Sequence, residues 1–182
     1  NHLAAQGDVA LWCRRAELAT QIAKQQSSPY LPGIALSSAI HATYHLNEAL
    51  SDCDGAILAV PTQALRPLLV ANRKANWPLG ALAIANKGIE LSTLSLPLEI
   101  VGASLGAEFG ARCAVISGPS FAIELALLHP TGLVAAANDV EIARLVQQAL
   151  SFGSLRVYTS DDPLGVELAA GLKNVVAIAA GM

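Results

Sequence analysis

Lys173 is the one lysine in the stretch Asp161 to Met182, which after its Asp-Asp-Pro start is almost entirely small and apolar. On a helix its neighbours three and four residues away are Ala169, Ala170, Val176 and Ala177, so no acidic side chain one turn away can pair with it. A lysine held among small side chains in a mostly buried helix loses hydration, and its pKa falls toward the range where it can exchange a proton near neutrality. The same residue also reads as a lysine reaching water from a helix edge. Three further polar stretches accompany it. Lys87 follows an apolar run and precedes Gly88, where it can face a bound anion or fix a substrate hydroxyl, or lie at an ordinary surface turn. Ser117-Gly118-Pro119-Ser120 joins an apolar run to a helical one. Its hydroxyls and the free amides of a helix start can cradle a phosphate, or one of the serines can simply cap the helix. Arg14-Arg15 follows another apolar run and reads either as a site for the extra phosphate of NADP or as two solvated loop arginines. His2, His41, His45 and His129 lack metal-ligand spacing with carboxylates, and no Cys/His or Ser/His/Asp arrangement stands out. Two cations, an anion cradle and a cofactor channel suit hydride transfer with a lysine acid/base better than hydrolysis.

The elements that must position these groups alternate. Short apolar runs at 8–13, 55–60, 79–85, 113–116, 132–137 and 155–159 read as strands, the 55–60 run as one covered on both faces. A short strand is also expected over 41–45. Helical patterns occupy 16–26, with Leu18, Ile22 and Ala23 as its apolar positions, and 46–51, 62–72, 96–105, 122–128, 140–150 and a final helix opened by Asp161-Asp162-Pro163. Ser27 to Gly33, with two prolines and a glycine, reads as a loop. This rhythm predicts an α/β fold, a doubly wound, Rossmann-type, mostly parallel sheet whose ligands bind beyond the carboxyl ends of the strands. Residues 1–160 are expected to form a dinucleotide-binding domain that is incomplete at its N-terminus, and 161–182 the start of a truncated helical substrate domain. Both ends read as cut inside elements.

The chain has 182 residues, 53% of them hydrophobic and 14% charged, enough to bury a sizeable core. A formal net charge of -3 and scattered Lys and Arg offer no basic field for nucleic acid. Cys13, Cys53 and Cys113 are far apart and odd in number, and read as buried thiols of a reducing compartment. No signal peptide opens the sequence, and Glu167, Lys173 and Asn174 break the longest apolar helix, so a soluble, cytoplasmic protein without membrane insertion is expected.

Several runs together resemble NAD(P)-dependent glycerol-3-phosphate dehydrogenase: Tyr30-Leu31-Pro32-Gly33, Ala59-Val60-Pro61, Asn86-Lys87-Gly88-Ile89-Glu90, Ser117-Gly118-Pro119-Ser120-Phe121-Ala122, Arg156-Val157-Tyr158-Thr159, and Gly165-Val166-Glu167 through Gly171-Leu172-Lys173-Asn174-Val175 to Ala180-Gly181-Met182. They occur in family order over nearly all of the chain. The resemblance implies interconversion of dihydroxyacetone phosphate and sn-glycerol 3-phosphate, the backbone of glycerophospholipids, with NAD or NADP. It implies that Lys173 is the proton acceptor and touches the substrate, and that Lys87 contacts cofactor and substrate. Gly118 and Ser120 then contact the substrate, Ala122 the cofactor, and Arg14 with Arg15 the adenosine end of the cofactor.

One departure is large: a Gly-x-Gly-x-x-Gly run, which the family places in its first strand-turn-helix, occurs nowhere in the chain, and Gly102, Gly106 and Gly110 are spaced differently. The family's C-terminal helical domain is missing as well. The polypeptide alone is therefore expected to bind cofactor poorly, to show little turnover and, through the apolar surface of its last helix, to self-associate, as a homo-oligomer or an aggregate. Two other readings share the fold, a β-hydroxyacid dehydrogenase and a non-catalytic dinucleotide sensor. The run from Ser117 to Ala122 argues against the first, and the second leaves Lys173 without a task.

Overall fold

The computed structural model describes the whole chain except Leu79 and Ala81. After a 3-10 turn at Leu3–Ala5, the elements in order are β1 (Val9–Trp12), α1 (Ala16–Gln25), β2 (Ser27–Ser28), β3 (Leu31–Ala35), β4 (Ile40–Thr43), α2 (Leu46–Ala49), β5 (Ala56–Leu58) and α3 (Thr62–Ala71). Next come β6 (Leu82–Ile84), α4 (Pro97–Leu105), α5 (Ala107–Ala111), β7 (Cys113–Ser117), α6 (Ala122–Ala126), β8 (Thr131–Ala136), α7 (Val140–Leu150), β9 (Leu155–Ser160) and α8 (Pro163–Ala180). The main sheet has the order β5-β6-β7-β8-β9, parallel throughout except where β7 meets β8, and β1 pairs with β4 in a separate parallel ribbon. The expected mostly parallel α/β architecture is therefore present.

The strand period of two distributes the core between two faces. Leu82 and Ile84 of β6 and Cys113 of β7 join Leu65, Leu69, Ile100 and Val101 from α3 and α4. The intervening Ala83 and Ala114 face Ala143, Val146 and Leu150 of α7, together with Leu133 and Val157. Both central strands are thus buried on both sides. A small third cluster, Cys13, Ala19 and Ile22, seats α1 on the ribbon. The buried positions of α1 are Ala19 and Ile22; Ala23 faces solvent, because the helix phase puts it outside the stripe that meets the ribbon.

Several expectations are corrected. The segment after α1 is a hairpin of β2 and β3, since Pro32 lies in a two-stranded edge where its missing N–H costs little and Gly33 takes φ +79°. β5 is covered on one face only, leaving Ile57 42% exposed. α5 was not anticipated; Gly110 there packs against Gly102 of α4, a Cβ at Gly110 lying 3.3 Å from the Gly102 Cα. α6 ends at Ala126 rather than Leu128, which has φ +58°. The expected beginning of the strand before Lys87, at Leu79 and Ala81, lies outside the described residues. The last helix is not mostly buried: Pro163, Glu167 and Ala170 are inside, whereas Leu172, Val175, Val176 and Ile178 are exposed. Its charges also do not break it as a unit. Among the described residues one helix, Pro163–Ala180, has the length and mean hydropathy, 1.3, that a membrane span needs, although Glu167 and Lys173 are bonded to the domain.

Candidate active site

β5, β6 and β7 are parallel neighbours, so the residues following them emerge on one edge of the sheet. That edge carries Ala59-Val60-Pro61, Asn86-Lys87-Gly88 and, at the end of β7, Ser117-Gly118. α3 holds the middle turn. Thr62 Oγ1 donates to the Lys87 carbonyl (2.9 Å), and Gln63 Nε2 donates to the Ile89 carbonyl (2.8 Å). Arg66 grips both oxygens of the buried Glu90 at 2.8–2.9 Å, and Thr93 Oγ1 donates to the same carboxylate. The guanidinium and the hydroxyl hold the Glu90 carboxyl below the usual carboxylate range. Gly88, at φ +108°, allows the chain to turn sharply just after the lysine.

α8 closes over this turn. Asp162 caps its start by accepting from the Gly165 amide at 2.8 Å, and Pro163 fits its first turn. Two turns on, Gly171 lies against the turn, a Cβ there falling in van der Waals contact with the Gly88 Cα at 3.4 Å. Lys173 follows and donates through Nζ to the Gly118 carbonyl at 2.9 Å. Burial, then the charge and hydrogen-bonding proximity of Lys87, hold the Lys173 ammonium below the ordinary lysine range. Gly118 itself has no room for a side chain: a Cβ would lie 2.6 Å from the Gly132 carbonyl oxygen and 3.1 Å from the Leu133 Cα.

The expected residues therefore divide. Lys87, Gly118 and Lys173 come together. Ser120 is half-buried beside them, its amide donating to the same Gly118 carbonyl at 2.9 Å. Neither Ser117 nor Ser120 caps α6, whose N-cap is Phe121 without a side-chain bond. Ala122 opens that short helix at the surface, next to Phe121, which is 70% exposed. Arg14 and Arg15 lie beyond β1 on the separate ribbon. Arg14 is exposed and Arg15 donates to the Tyr30 hydroxyl at 2.5 Å, beside an open groove that Glu17, Leu18, Gln21 and Pro29 also line. Among the described residues, no hydrogen bond or ion pair joins either arginine to the lysine cluster.

Two residues of the site were not singled out as functional from the sequence. Asn86 is buried, donates through Nδ2 to the Val60 carbonyl and leaves its Oδ1 without a partner. It belongs to an open depression of about 320 Å³ formed with Ala59, Val60, Pro61, Ala85 and Lys87. Glu167, buried in α8, accepts from the Leu98 amide at 2.8 Å. It is the other charge of that apolar helix, which is the one hint the sequence offers. No group of three or more His, Cys, Asp or Glu that could hold a metal occurs among the described residues.

Residues 1–143 match the family model for the N-terminal part of NAD-dependent glycerol-3-phosphate dehydrogenase. Among curated proteins, the chain is 43% identical to glycerol-3-phosphate dehydrogenase (NAD(P)+) of Geobacter sulfurreducens, over 100% of its own length and 55% of the relative's. It is 42% identical to glycerol-3-phosphate dehydrogenase (NAD(P)+) 2 of Mycobacterium bovis, over 97% of this chain and 53% of that one. A crystal structure of glycerol-3-phosphate dehydrogenase from Coxiella burnetii superposes with a TM-score of 0.87 at 27% identity, covering 99% of this chain and 55% of that one. The chain thus spans about half the length of the relatives it matches.

Proposed function

The chain belongs to the NAD-dependent glycerol-3-phosphate dehydrogenase family, and from that premise we propose that it carries the proton-transfer lysine and the sheet-edge contacts of an enzyme that interconverts sn-glycerol 3-phosphate and dihydroxyacetone phosphate with NAD or NADP. Residues 1–160 bind the dinucleotide in this reading, and 161–182 open the helical, substrate-side unit. The observation that carries it is the meeting of Lys87, Lys173 and the Gly118 carbonyl, brought from β6, α8 and β7 to one edge of the sheet.

The depression beside Asn86 suits the nicotinamide end of a dinucleotide. Its wall is made of small apolar groups from Ala59, Val60, Pro61 and Ala85, with Asn86 and Lys87 as its polar members. Lys87 and Ala122 contact the same cofactor, and Arg14 with Arg15 hold its adenosine end. The chain has no Gly-x-Gly-x-x-Gly cradle for the pyrophosphate. When bound, the nicotinamide supplies the acceptor for the hydride from the secondary alcohol carbon.

The residues of this chain do the rest. Lys173, whose ammonium burial and Lys87 hold below the ordinary lysine range, takes the hydroxyl proton during oxidation and returns it to the carbonyl oxygen during reduction. The Gly118 carbonyl fixes the direction of its nitrogen. Lys87 faces the anionic substrate, and Ser120 and the Gly118 main chain line its other side. The substrate is a small phosphate ester, its product feeds glycerophospholipid synthesis, and the enzyme works in the cytoplasm as a homo-oligomer without inserting α8 in a membrane.

Lys173→Ala is expected to lower turnover of glycerol 3-phosphate by roughly a hundredfold or more while the fold is kept, the scale for loss of a general acid/base. The assay requires this sequence within a polypeptide spanning the relatives' full length. Unchanged turnover in a folded variant excludes Lys173 as the proton acceptor.

A further inference from the structure

Glu167 is 2% exposed, yet no cation pairs with it among the described residues. Its Oε1 accepts from the amide of Leu98, the second residue of α4, where Pro97 has no N–H to give and Glu99 turns back to the Leu96 amide at 2.9 Å. The bond spans 69 residues and ties α8 to the start of the helix that packs under β6 and β7. Only one turn beyond it, Gly171 rests on Gly88, and Lys173 comes within the next half-turn. α8 thus has two anchors just before Lys173, and its C-terminal turns, with Val175, Val176 and Ile178, are exposed. Other titratable groups near the carboxyl are Glu99 and Cys113, neither able to neutralise it as a cation would.

We propose that Glu167 is a positioning residue: its bond to the Leu98 amide sets the height and rotation of α8, and so keeps Lys173 on the Gly118 carbonyl and beside Lys87. This rests on the proposed role of Lys173 for its meaning in catalysis, but it concerns where the nitrogen is held and can be tested without turnover. Glutamine keeps an acceptor at the same reach, aspartate keeps the charge but shortens the reach by one methylene, and alanine removes both.

The experiment is trace acetylation of the chain across a pH series, with mass spectrometry comparing Lys173 with Lys24, an exposed lysine of α1, in the same sample. In the parent, Lys173 gains reactivity below the ordinary lysine range, and Lys24 serves only to normalise the extent of labelling. Glu167→Gln is expected to retain that profile. Glu167→Asp and Glu167→Ala are expected to move it upward, lowering Lys173 labelling relative to Lys24 near pH 8 by about threefold or more, as the amine regains water and leaves Lys87. If Glu167→Ala fails to fold by circular dichroism, the glutamine and aspartate variants decide. A profile unchanged in folded Glu167→Asp overturns the proposal, and so does one that moves in folded Glu167→Gln, because the charge rather than the reach would then be what matters. Loss of turnover in Lys173→Ala reports on the catalytic reading alone, so the two ideas fail separately.

Discussion

The lysine pair makes a prediction at the scale of single residues. Alcohol oxidation requires Lys173 as the free amine, so in the proposed enzyme the rate rises with pH through its pKa, and burial and Lys87 place that rise below the ordinary lysine range. Lys87→Met keeps the bulk of the side chain and deletes the charge. The rising limb of kcat/KM for glycerol 3-phosphate is then expected to move to higher pH, with a weaker apparent affinity for the phosphate ester; a pH–rate series measures both. Lys87 and Lys173 were each singled out in the sequence beside a bland alternative, a turn lysine and a lysine reaching water, and it was the resemblance of their motifs that gave them a task. Glu167 was not singled out. Its partner is a main-chain amide at Leu98, and a sequence does not show which peptide N–H groups go unbonded at a helix start far away. Asn86 was legible only as part of a motif, since whether one oxygen of an amide lacks a partner is a fact of the fold.

Among the elements, the decisive junction is where β7 ends at Ser117 and Gly118 begins the loop to α6. There the sheet reverses from parallel to antiparallel, and the loop backbone lies against Gly132 and Leu133 of β8. Gly118→Ala cannot be absorbed by a flexible side chain, because two of the atoms its Cβ meets are backbone. We expect a loss of about 1–3 kcal/mol, the usual cost of overpacking, measured by urea unfolding, together with a shift of the Lys173 titration as its acceptor is displaced. Nearly every helix and strand was legible, since short continuous apolar runs and helix starts such as Asp162-Pro163 are local signals. The hairpin of β2 and β3 was missed because proline and glycine are read as punctuation, whereas a sheet only two strands wide tolerates both. α5 was missed because its Gly110 is a weak helix former and becomes favourable only through its contact with Gly102.

For the molecule as a whole, two carboxyl groups oppose each other across pH. Burial raises the Glu167 pKa to about 7, so its contribution to stability is complete below about 4.5, is lost as pH rises through 7, and amounts to about 3 kcal/mol at most. Glu90 is shifted the other way: its contribution is present above its unfolded value and lost as pH falls through the lowered one. Thermal unfolding is therefore expected to show its highest midpoint in mildly acidic buffer, and Glu167→Gln to flatten the decline on the alkaline side. A midpoint that climbs steadily from pH 5 to 8 would contradict the burial of Glu167. The seat of α8 on the Lys87 turn has a different kind of consequence. Because Gly171 meets Gly88 through bare main chain, the separation of the two amines is not measured out by any aliphatic side chain. The hydrophobic interior can accordingly exchange leucine for isoleucine or methionine over many substitutions with little effect on how far apart the two amines sit, whereas any side chain at Gly88 would have to adopt φ +108°, a conformation that L residues rarely take.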